Sequence, residues 1–202
     1  MSRGRLEAFS DGVLAVVITL LALDLHTRAE GPESLASQLR EQWPSFAAFA
    51  LSFFVVGVIW VNHHALFALV NRVDRTVMFL NLLLLMWVTT IPFSTSALAG
   101  FLRAGGADTH LAVALYGISN EGMAISFTLI LRHLLRRRLL LRPLDDGAAR
   151  TALRRFGVGT VLYPAITAVG LVSPFLMLLL YALQNGFYVF EQTPATTSTS
   201  DR

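Results

Sequence analysis

The stretch that decides the fold begins at Arg5, passes through Phe9-Ser10-Asp11-Gly12, and enters the apolar run from Val13 to Leu23. It places an arginine and an aspartate at the mouth of a predicted first membrane span. An uncompensated carboxylate in hydrocarbon costs at least about 2.5 kcal/mol. We therefore expect Asp11 to be paired, hydrated or exposed to a cavity.

The composition of the whole chain is that of an integral membrane protein. Its 202 residues are 54% hydrophobic and 14% charged, which leaves too few polar residues to cover a soluble globule of this size. The absence of cysteine excludes a disulfide scaffold, a thiolate nucleophile and a Cys-ligated metal site. The sequence also lacks the known nucleophile, nucleotide-binding and zinc-protease motifs, so we expect neither catalysis nor a cofactor.

Six apolar segments, each near the roughly 20 residues that a span needs, predict an all-α membrane protein with six transmembrane helices. The segments run approximately from Arg5 to Leu25, Pro44 to Val70, Arg75 to Leu98, Leu111 to Leu134, Thr151 to Val172, and Pro174 to Phe190. We expect residues 1–190 to form one transmembrane domain. Residues 191–202, rich in Thr, Ser and Pro, are expected to be a disordered tail.

The arginines predict the orientation of these spans. With the N-terminus inside, thirteen of the sixteen basic residues fall in inner segments, and the outer loops keep only Arg28, Arg40 and Arg103. Because cytoplasmic segments carry an excess of basic residues, both termini are predicted to be cytoplasmic. The same clustering between apolar runs, without a basic face interleaved with aromatic residues, argues against a nucleic-acid partner.

Helical phase gives the first helix two faces. At about 100° per residue, Val16, Leu20 and Leu23 share one stripe with Thr19 at its edge, whereas Asp11 points roughly the other way. An aliphatic stripe can face lipid, a neighbouring helix or a pore, and lipid or core packing is the commoner case. Because a single chain of six spans has no wide polar groove, a pore would need several copies around a common axis.

Four residues close the second segment at a depth similar to that of Asp11, namely Trp60, Asn62, His63 and His64. Adjacent histidines point about 100° apart on a helix, so they cannot both ligate one ion from one face. Unsatisfied polar groups in lipid are costly, so we expect one histidine to join a buried hydrogen-bond network. Its candidate partners are Ser10, Asp11 and Asn81.

Glu121 lies near the middle of the fourth segment, a depth that by itself marks a proton or ion site. It is equally well explained as a buried acid, held neutral or paired by Asn120 or a tyrosine. A relay through Asp11, His63 and Glu121 would make the protein a proton-coupled transporter or a proton leak pathway. A non-conducting membrane scaffold is a further alternative.

The pattern Arg5-x-x-x-Phe9-Ser10-Asp11, with Trp60 and His63-His64 ending the second segment and Asn81 in the third, resembles the bacterial branch of the transmembrane protein 175 family of potassium channels. The first string is the specific part. The likeness in topology covers nearly the whole chain apart from the tail. It implies a homotetramer, embedded in the lipids of a bacterial cytoplasmic membrane, whose first helices surround a central pore for potassium ions.

The resemblance also implies two groups of site residues and a cation-selective channel with a hydrophobic constriction. The ion pathway would be lined by Val16, Thr19, Leu20 and Leu23. The structural network between helices would be formed by Arg5, Phe9, Ser10, Asp11, Trp60, His63, His64 and Asn81. Rings of aliphatic side chains can close a pore by dewetting. Family members often have isoleucine or leucine at the narrowest layer, so the smaller Val16 leaves the position of the gate open.

Overall fold

A computed structural model describes residues 2–25 and 34–190 of the chain. Within these ranges there are eight α-helices and no β-strand, which confirms the predicted all-α fold. The helices are α1 (Arg3–Leu21), α2 (Leu35–Glu41), α3 (Trp43–Ala68), α4 (Arg75–Thr89), α5 (Ile91–Ala104), α6 (Asp108–Arg136), α7 (Asp146–Gly170) and α8 (Pro174–Phe190). A 3-10 turn, Ala22–Asp24, continues α1. The tail predicted for residues 191–202 lies outside the described residues.

Three helical stretches of the described chain are long and apolar enough to cross a membrane: Trp43–Ala68, Arg75–Ala104 and Asp108–Arg136. The other long helices are less apolar or shorter. The N-terminal halves of α1 and α7 carry four charged residues each, and α8 has only 17 residues. Length and composition therefore identify three spans by themselves, and the remaining helices would depend on packing against these three to enter the membrane.

The third predicted segment consists of two helices that meet at Thr90. Pro92, in the first turn of α5, has no N–H to donate to a carbonyl one turn earlier. The hydroxyls of Thr89 and Thr90 donate to the carbonyl oxygens of Met86 and Trp87, each at 2.7 Å. These bonds satisfy backbone groups beside the break, so the segment continues as one interrupted span.

The helices are arranged with α1 at one edge of the bundle. It packs against α3, α4 and α5, while α6 packs against α4, α5 and α7, and α8 packs against α3 and α7. The core between them contains large, fully buried side chains such as Tyr116, Tyr181 and Phe67. Because only its inner side meets other helices, α1 has one face covered by its own subunit and one face left open.

Two glycines allow close contacts of α6 with its neighbours. A Cβ atom added to Gly122 would overlap the Trp87 ring of α4, and one added to Gly117 would overlap the Thr167 side chain of α7. Small residues permit such approaches between membrane helices, whose association depends on van der Waals packing. Gly122 and Gly117 therefore fix the spacing of α6 from both sides.

Hydrogen bonds between loops join the ends of α3 and α6 on the arginine-rich side. The Asn71 N–H donates to the Leu139 oxygen at 2.8 Å, and the Leu141 N–H donates to the Leu69 oxygen at 2.8 Å. We call this short antiparallel pairing the loop clasp. It holds together two chain segments that are far apart in sequence.

Arg3 connects the first turn of α1 to the same region. Its guanidinium donates to the carbonyl oxygens of Ala68 at 3.1 Å and Val70 at 3.3 Å, and it pairs with Glu7 at 3.2 Å. The last carbonyls of a helix have no partner within the helix, and a cation there is favourable. Arg3 therefore ties the start of α1 to the end of α3.

Asp74 joins α4 to α6 through both of its carboxylate oxygens. One accepts from the Val77 N–H at 2.8 Å, capping α4, and the other lies 2.7 Å from His133 Nε2. Burial by itself would raise the pKa of Asp74, but the hydrogen bonds from His133 and Val77 outweigh that effect and lower the pKa. The folded protein therefore favours the ionised form of this carboxyl.

Replacing Gly122 with alanine should lower the melting temperature in detergent, because overpacking against Trp87 costs about 1–3 kcal/mol. Gly157→Ala is the matched control, since nothing lies within 4 Å of its added Cβ. We expect that control to leave stability unchanged or to raise it by up to about 1 kcal/mol. Equal melting temperatures for the two variants would contradict the close contact.

Acidification should expose the contribution of Asp74 to stability. A carboxyl with a lowered folded-state pKa stabilises the protein fully above its unfolded pKa of about 3.9, and this stability is lost as the pH falls through the folded pKa. The melting temperature of Asp74→Asn should therefore be lower at pH 7 and fall less steeply below about pH 5 than that of the wild type. Asp146→Asn, at an exposed position of α7, should keep the wild-type slope.

Candidate ion pathway and motif network

The buried face of α1 follows the spacing of a helix packed on one side. It consists of Leu6, Ser10, Leu14, Val17 and Leu21. The opposite face, which we call the open stripe, is exposed along its length. The open stripe consists of Arg5, Phe9, Gly12, Val16, Thr19, Leu20 and Leu23. Steps of three and four residues keep each set on one side of the helix, and Thr19 lies next to Leu20 at the edge of the open stripe.

The open stripe contains the four residues predicted for the ion pathway. Val16 is 56% exposed, Leu20 is 42% exposed and Leu23 is 73% exposed in a single subunit. Other helices also expose large apolar residues, for example Leu111 of α6 and Val161 of α7. Exposure alone is therefore compatible with lipid, with another subunit and with a pore.

Thr19 differs from its aliphatic neighbours on the open stripe because it carries an oxygen. Its hydroxyl donates to the carbonyl oxygen of Val16 at 2.8 Å, so its proton is directed along the helix backbone. A hydroxyl has one proton and two acceptor lone pairs. The oxygen of Thr19 thus retains its capacity to accept a hydrogen bond or to contact a cation.

A buried hydrogen-bond chain connects α1, α3 and α4. The Asn81 side-chain amide donates to Ser10 Oγ at 2.9 Å, and Ser10 Oγ donates to the Leu6 oxygen at 2.9 Å. On its other side, the Asn81 oxygen lies 2.8 Å from His63 Nε2. Since Ser10, His63 and Asn81 are at most 1% exposed, these bonds are made away from water. We call this chain the Ser–Asn–His tie.

The geometry of the Ser–Asn–His tie assigns the proton on His63. The amide oxygen of Asn81 can only accept, so Nε2 of His63 must carry a hydrogen. The other ring nitrogen, Nδ1, is buried and has no partner among the described residues. The ring is also stacked on Phe67, with centroids 4.2 Å apart, which further fixes its orientation.

Asp11 lies beside the tie and makes a separate contact with α3. Trp60 Nε1 donates to Asp11 Oδ1 at 3.0 Å, and the Trp60 side chain is 45% exposed. This contact satisfies one carboxylate oxygen with an indole N–H at an accessible position. Asp11 is therefore held by α3 and lies away from the line of Val16 and Leu20, as helical phase predicted.

The remaining predicted motif residues lie outside the tie. Arg5, Phe9 and His64 are exposed, and the part of the chain that the structure describes gives Arg5 no hydrogen bond or ion pair. The His64 ring lies beside Trp60, with centroids 6.4 Å apart. One subunit thus brings Ser10, His63 and Asn81 together. Trp60 contacts both Asp11 and His64, whereas Arg5 and Phe9 lie outside both groups.

Glu121 has one carboxylate oxygen, Oε2, that is buried without a hydrogen-bond partner among the described residues. The side-chain amide of the neighbouring Asn120 donates to the backbone carbonyl oxygen of Tyr116 at 2.8 Å and not to Glu121. Within residues 2–25 and 34–190, no hydrogen bond connects Glu121 with Asp11 or His63. The same residues contain no group of three His, Cys, Asp or Glu side chains arranged to hold a metal ion.

A second polar cluster inside the bundle was not predicted from the sequence. The hydroxyl of Ser52 lies 2.7 Å from that of Thr95 and 3.1 Å from that of Tyr116, and all three residues are buried. This cluster joins α3, α5 and α6. Its only signal in the sequence is a residue with a hydroxyl group within each apolar segment, which is common, and the Ser and Thr hydroxyls can also bond their own helix.

Comparisons with known proteins agree with this architecture. The family model described as endosomal/lysosomal potassium channel TMEM175 matches residues 5–92. A potassium channel of Streptomyces collinus is 45% identical over 196 residues, covering 96% of this chain and 95% of that protein. The crystal structure of a lysosomal potassium-selective channel TMEM175 homolog from Chamaesiphon minutus has a TM-score of 0.77 at 32% identity, covering 93% of this chain and 96% of that one.

A partial relative comes from an animal. The mouse endosomal/lysosomal proton channel TMEM175 is 38% identical over 112 residues, which is 51% of this chain and 22% of that longer protein. The helical fold and these matches define the class as a membrane ion channel, and not an enzyme. The chain belongs to the TMEM175 family.

Removing the central residue of the tie should destabilise the protein. Asn81→Ala would leave Ser10 and His63 without their shared partner in a dry interior, which should cost about 1–3 kcal/mol and lower the melting temperature in detergent. Asn71→Ala removes the same amide from an exposed loop position and should have little effect. Equal melting temperatures for the two variants would show that the tie has no structural importance.

Proposed function

We propose that this chain forms a homotetrameric, potassium-permeable and cation-selective channel in a bacterial cytoplasmic membrane. In this proposal each subunit has six transmembrane helices, formed by α1, α3, the α4–α5 stretch, α6, α7 and α8, with both termini in the cytoplasm. The excess of arginines in the segments assigned to the inside supports this orientation. The relatives from Streptomyces and Chamaesiphon, described as potassium channels, support the permeant ion.

The open stripe of α1 is the observation that carries the proposal. The opposite face of α1 is fully buried, so its open face is available to a symmetry axis. Four copies of α1 around that axis would turn Val16, Leu20 and Leu23 toward a common pathway. A closed point group is the usual form of a homo-oligomer, and it places equivalent residues in rings.

The spacing of these residues gives three successive aliphatic layers. Leu20 follows Val16 by four residues of α-helix, so their rings would lie about 6 Å apart along the axis. Leu23 lies in the 3-10 turn, and its ring would lie about 5–6 Å farther along. Narrow apolar rings exclude water and thereby block hydrated ions. Opening would require the four helices to tilt or rotate so that the side chains part.

Thr19 would supply the polar layer in this pathway. Its hydroxyl proton is directed to the Val16 carbonyl, which leaves oxygen lone pairs available to a passing cation. Four hydroxyl oxygens at one level would compensate part of the lost hydration shell. Weak, multiple contacts of this kind favour permeation over tight binding.

The exposed motif residues would act at subunit boundaries. Arg5 carries a charge and has no ion pair in the described part of its own subunit, and a charge enclosed by an oligomer requires compensation. We therefore assign Arg5, Phe9 and His64 to contacts with neighbouring subunits. The Ser–Asn–His tie would orient α1 within each subunit.

Proton permeation is the second candidate function. It is favoured by the name of the mouse relative and by two buried, unpartnered atoms, Glu121 Oε2 and His63 Nδ1. A relay through Asp11, His63 and Glu121 would require bridging groups, because no direct hydrogen bonds join the three in the described residues. The potassium pathway along α1 requires no such bridge.

Flux through reconstituted vesicles tests the assignment of the open stripe. Leu20→Ala and Val16→Ala should each raise passive potassium flux and weaken selectivity, because a ring of smaller side chains has a wider opening and admits more water. The control truncations Leu183→Ala and Val161→Ala, at exposed positions of α8 and α7, should leave both unchanged. The flux should persist when the proton gradient is removed.

The opposite pattern would overturn the assignment. Loss of transport in Glu121→Gln together with normal transport in both α1 variants would identify the proton relay as the pathway. The mass of the purified oligomer tests the stoichiometry separately, and it should be about four times the 22.2 kDa of one chain. A stable oligomer of that mass that conducts no ions would favour the non-conducting scaffold.

A further inference from the structure

A cleft between α4 and α6 combines an apolar part with a strongly basic part. It has a volume of about 260 Å³ and is lined by Leu80, Leu129, Arg132, His133 and Arg136. A second hollow of about 460 Å³ adjoins it around His133, Arg136 and Arg137. The two share His133 and Arg136, so they form one continuous surface, which we call the arginine cleft.

The arginines of this cleft are not neutralised within the subunit. In the part of the chain that the structure describes, Arg132, Arg136 and Arg137 form no ion pair or hydrogen bond through their side chains. The carboxylate of Asp74 is already engaged by His133 at 2.7 Å and by the Val77 N–H at 2.8 Å. The guanidinium groups are therefore available to an external anion.

The position of the cleft along α6 matches the membrane surface. This helix has 29 residues, a length of about 43 Å, whereas the hydrocarbon core is about 30 Å thick. Its end therefore reaches the depth of the lipid headgroups. Arg132 and Arg136 are one helical turn apart on the same face, and Leu129 precedes Arg132 by one turn toward the interior.

We propose that the arginine cleft binds an anionic phospholipid. The phosphate group would lie between Arg132 and Arg136, and an acyl chain would follow Leu80 and Leu129 into the membrane. Guanidinium groups match the geometry of phosphate oxygens, and basic pockets between membrane helices accept anionic headgroups. The apolar part selects a lipid over a free anion, because it gives hydrocarbon a continuous surface next to the charge.

Topology signals alone do not account for this arrangement. An excess of arginine on one side orients the chain in the membrane, but it requires only a number of charges. It does not require two of them to be unpaired, one turn apart and adjacent to a leucine-lined cleft. The inference depends on the presence of the chain in a membrane and not on which ion it conducts.

Lipid titration of the intact oligomer in mild detergent tests the proposal. Native mass spectrometry should show bound phosphatidylglycerol in preference to phosphatidylcholine. The double variant Arg132→Gln with Arg136→Gln should retain phosphatidylglycerol roughly thirtyfold more weakly, since each of the two basic residues near an anionic surface contributes about 1 kcal/mol. Arg150→Gln with Arg154→Gln removes two exposed arginines of the same spacing from α7 and should retain it normally.

Three results would overturn the proposal. Equal weakening in the α7 control pair would show a general effect of charge, and equal retention of both lipids would show an acyl-chain site without headgroup recognition. Displacement of phosphatidylglycerol by millimolar inorganic phosphate would show a site for a free anion. If the glutamine variant does not assemble, Arg132→Lys with Arg136→Lys replaces it, and unchanged retention in that variant would contradict recognition by the guanidinium geometry.

Discussion

The Ser–Asn–His tie is the constraint on which the rest of the structure depends. Polar groups in a dry interior must satisfy one another, and here one amide bonds to α1 and α3 from its place on α4. A helix held in this way cannot rotate by one residue without leaving Ser10 and His63 unpaired. The tie therefore decides which residues of α1 are buried and which, including Val16 and Leu20, remain open to other molecules.

Local periodicity made part of this arrangement predictable. A step of 100° per residue is a property of the helix itself, so the separation of Val16 and Leu20 from Asp11 follows from their numbers alone. Residue numbers do not predict which of the two histidines, His63 or His64, joins the tie, because that depends on which side of α3 meets α4. Similarly, Pro92 and the two threonines before it mark a break, but whether the chain turns back or continues there depends on its neighbours.

Other parts of the site required information that a single helix does not contain. Arg5 and Phe9 are open in the subunit, and their surroundings depend on contacts between copies. The hydroxyl cluster of Ser52, Thr95 and Tyr116 was missed because Ser52 and Thr95 could equally have bonded to their own backbone, and because the three residues lie on three different helices. Sequence thus predicts best what a single helix determines, and least what several helices determine together.

The bond from Arg3 to the carbonyls at the end of α3 has a mechanical consequence. It fixes one end of α1 to the loop clasp, which itself joins α3 to α6. A straight helix that is fixed at one end is displaced most at its other end when it tilts. If α1 tilts about Arg3, the displacement grows from Ser10 through Val16 to Leu23. The three aliphatic rings proposed for the ion pathway would then widen unequally, and the ring farthest from Arg3 would widen most.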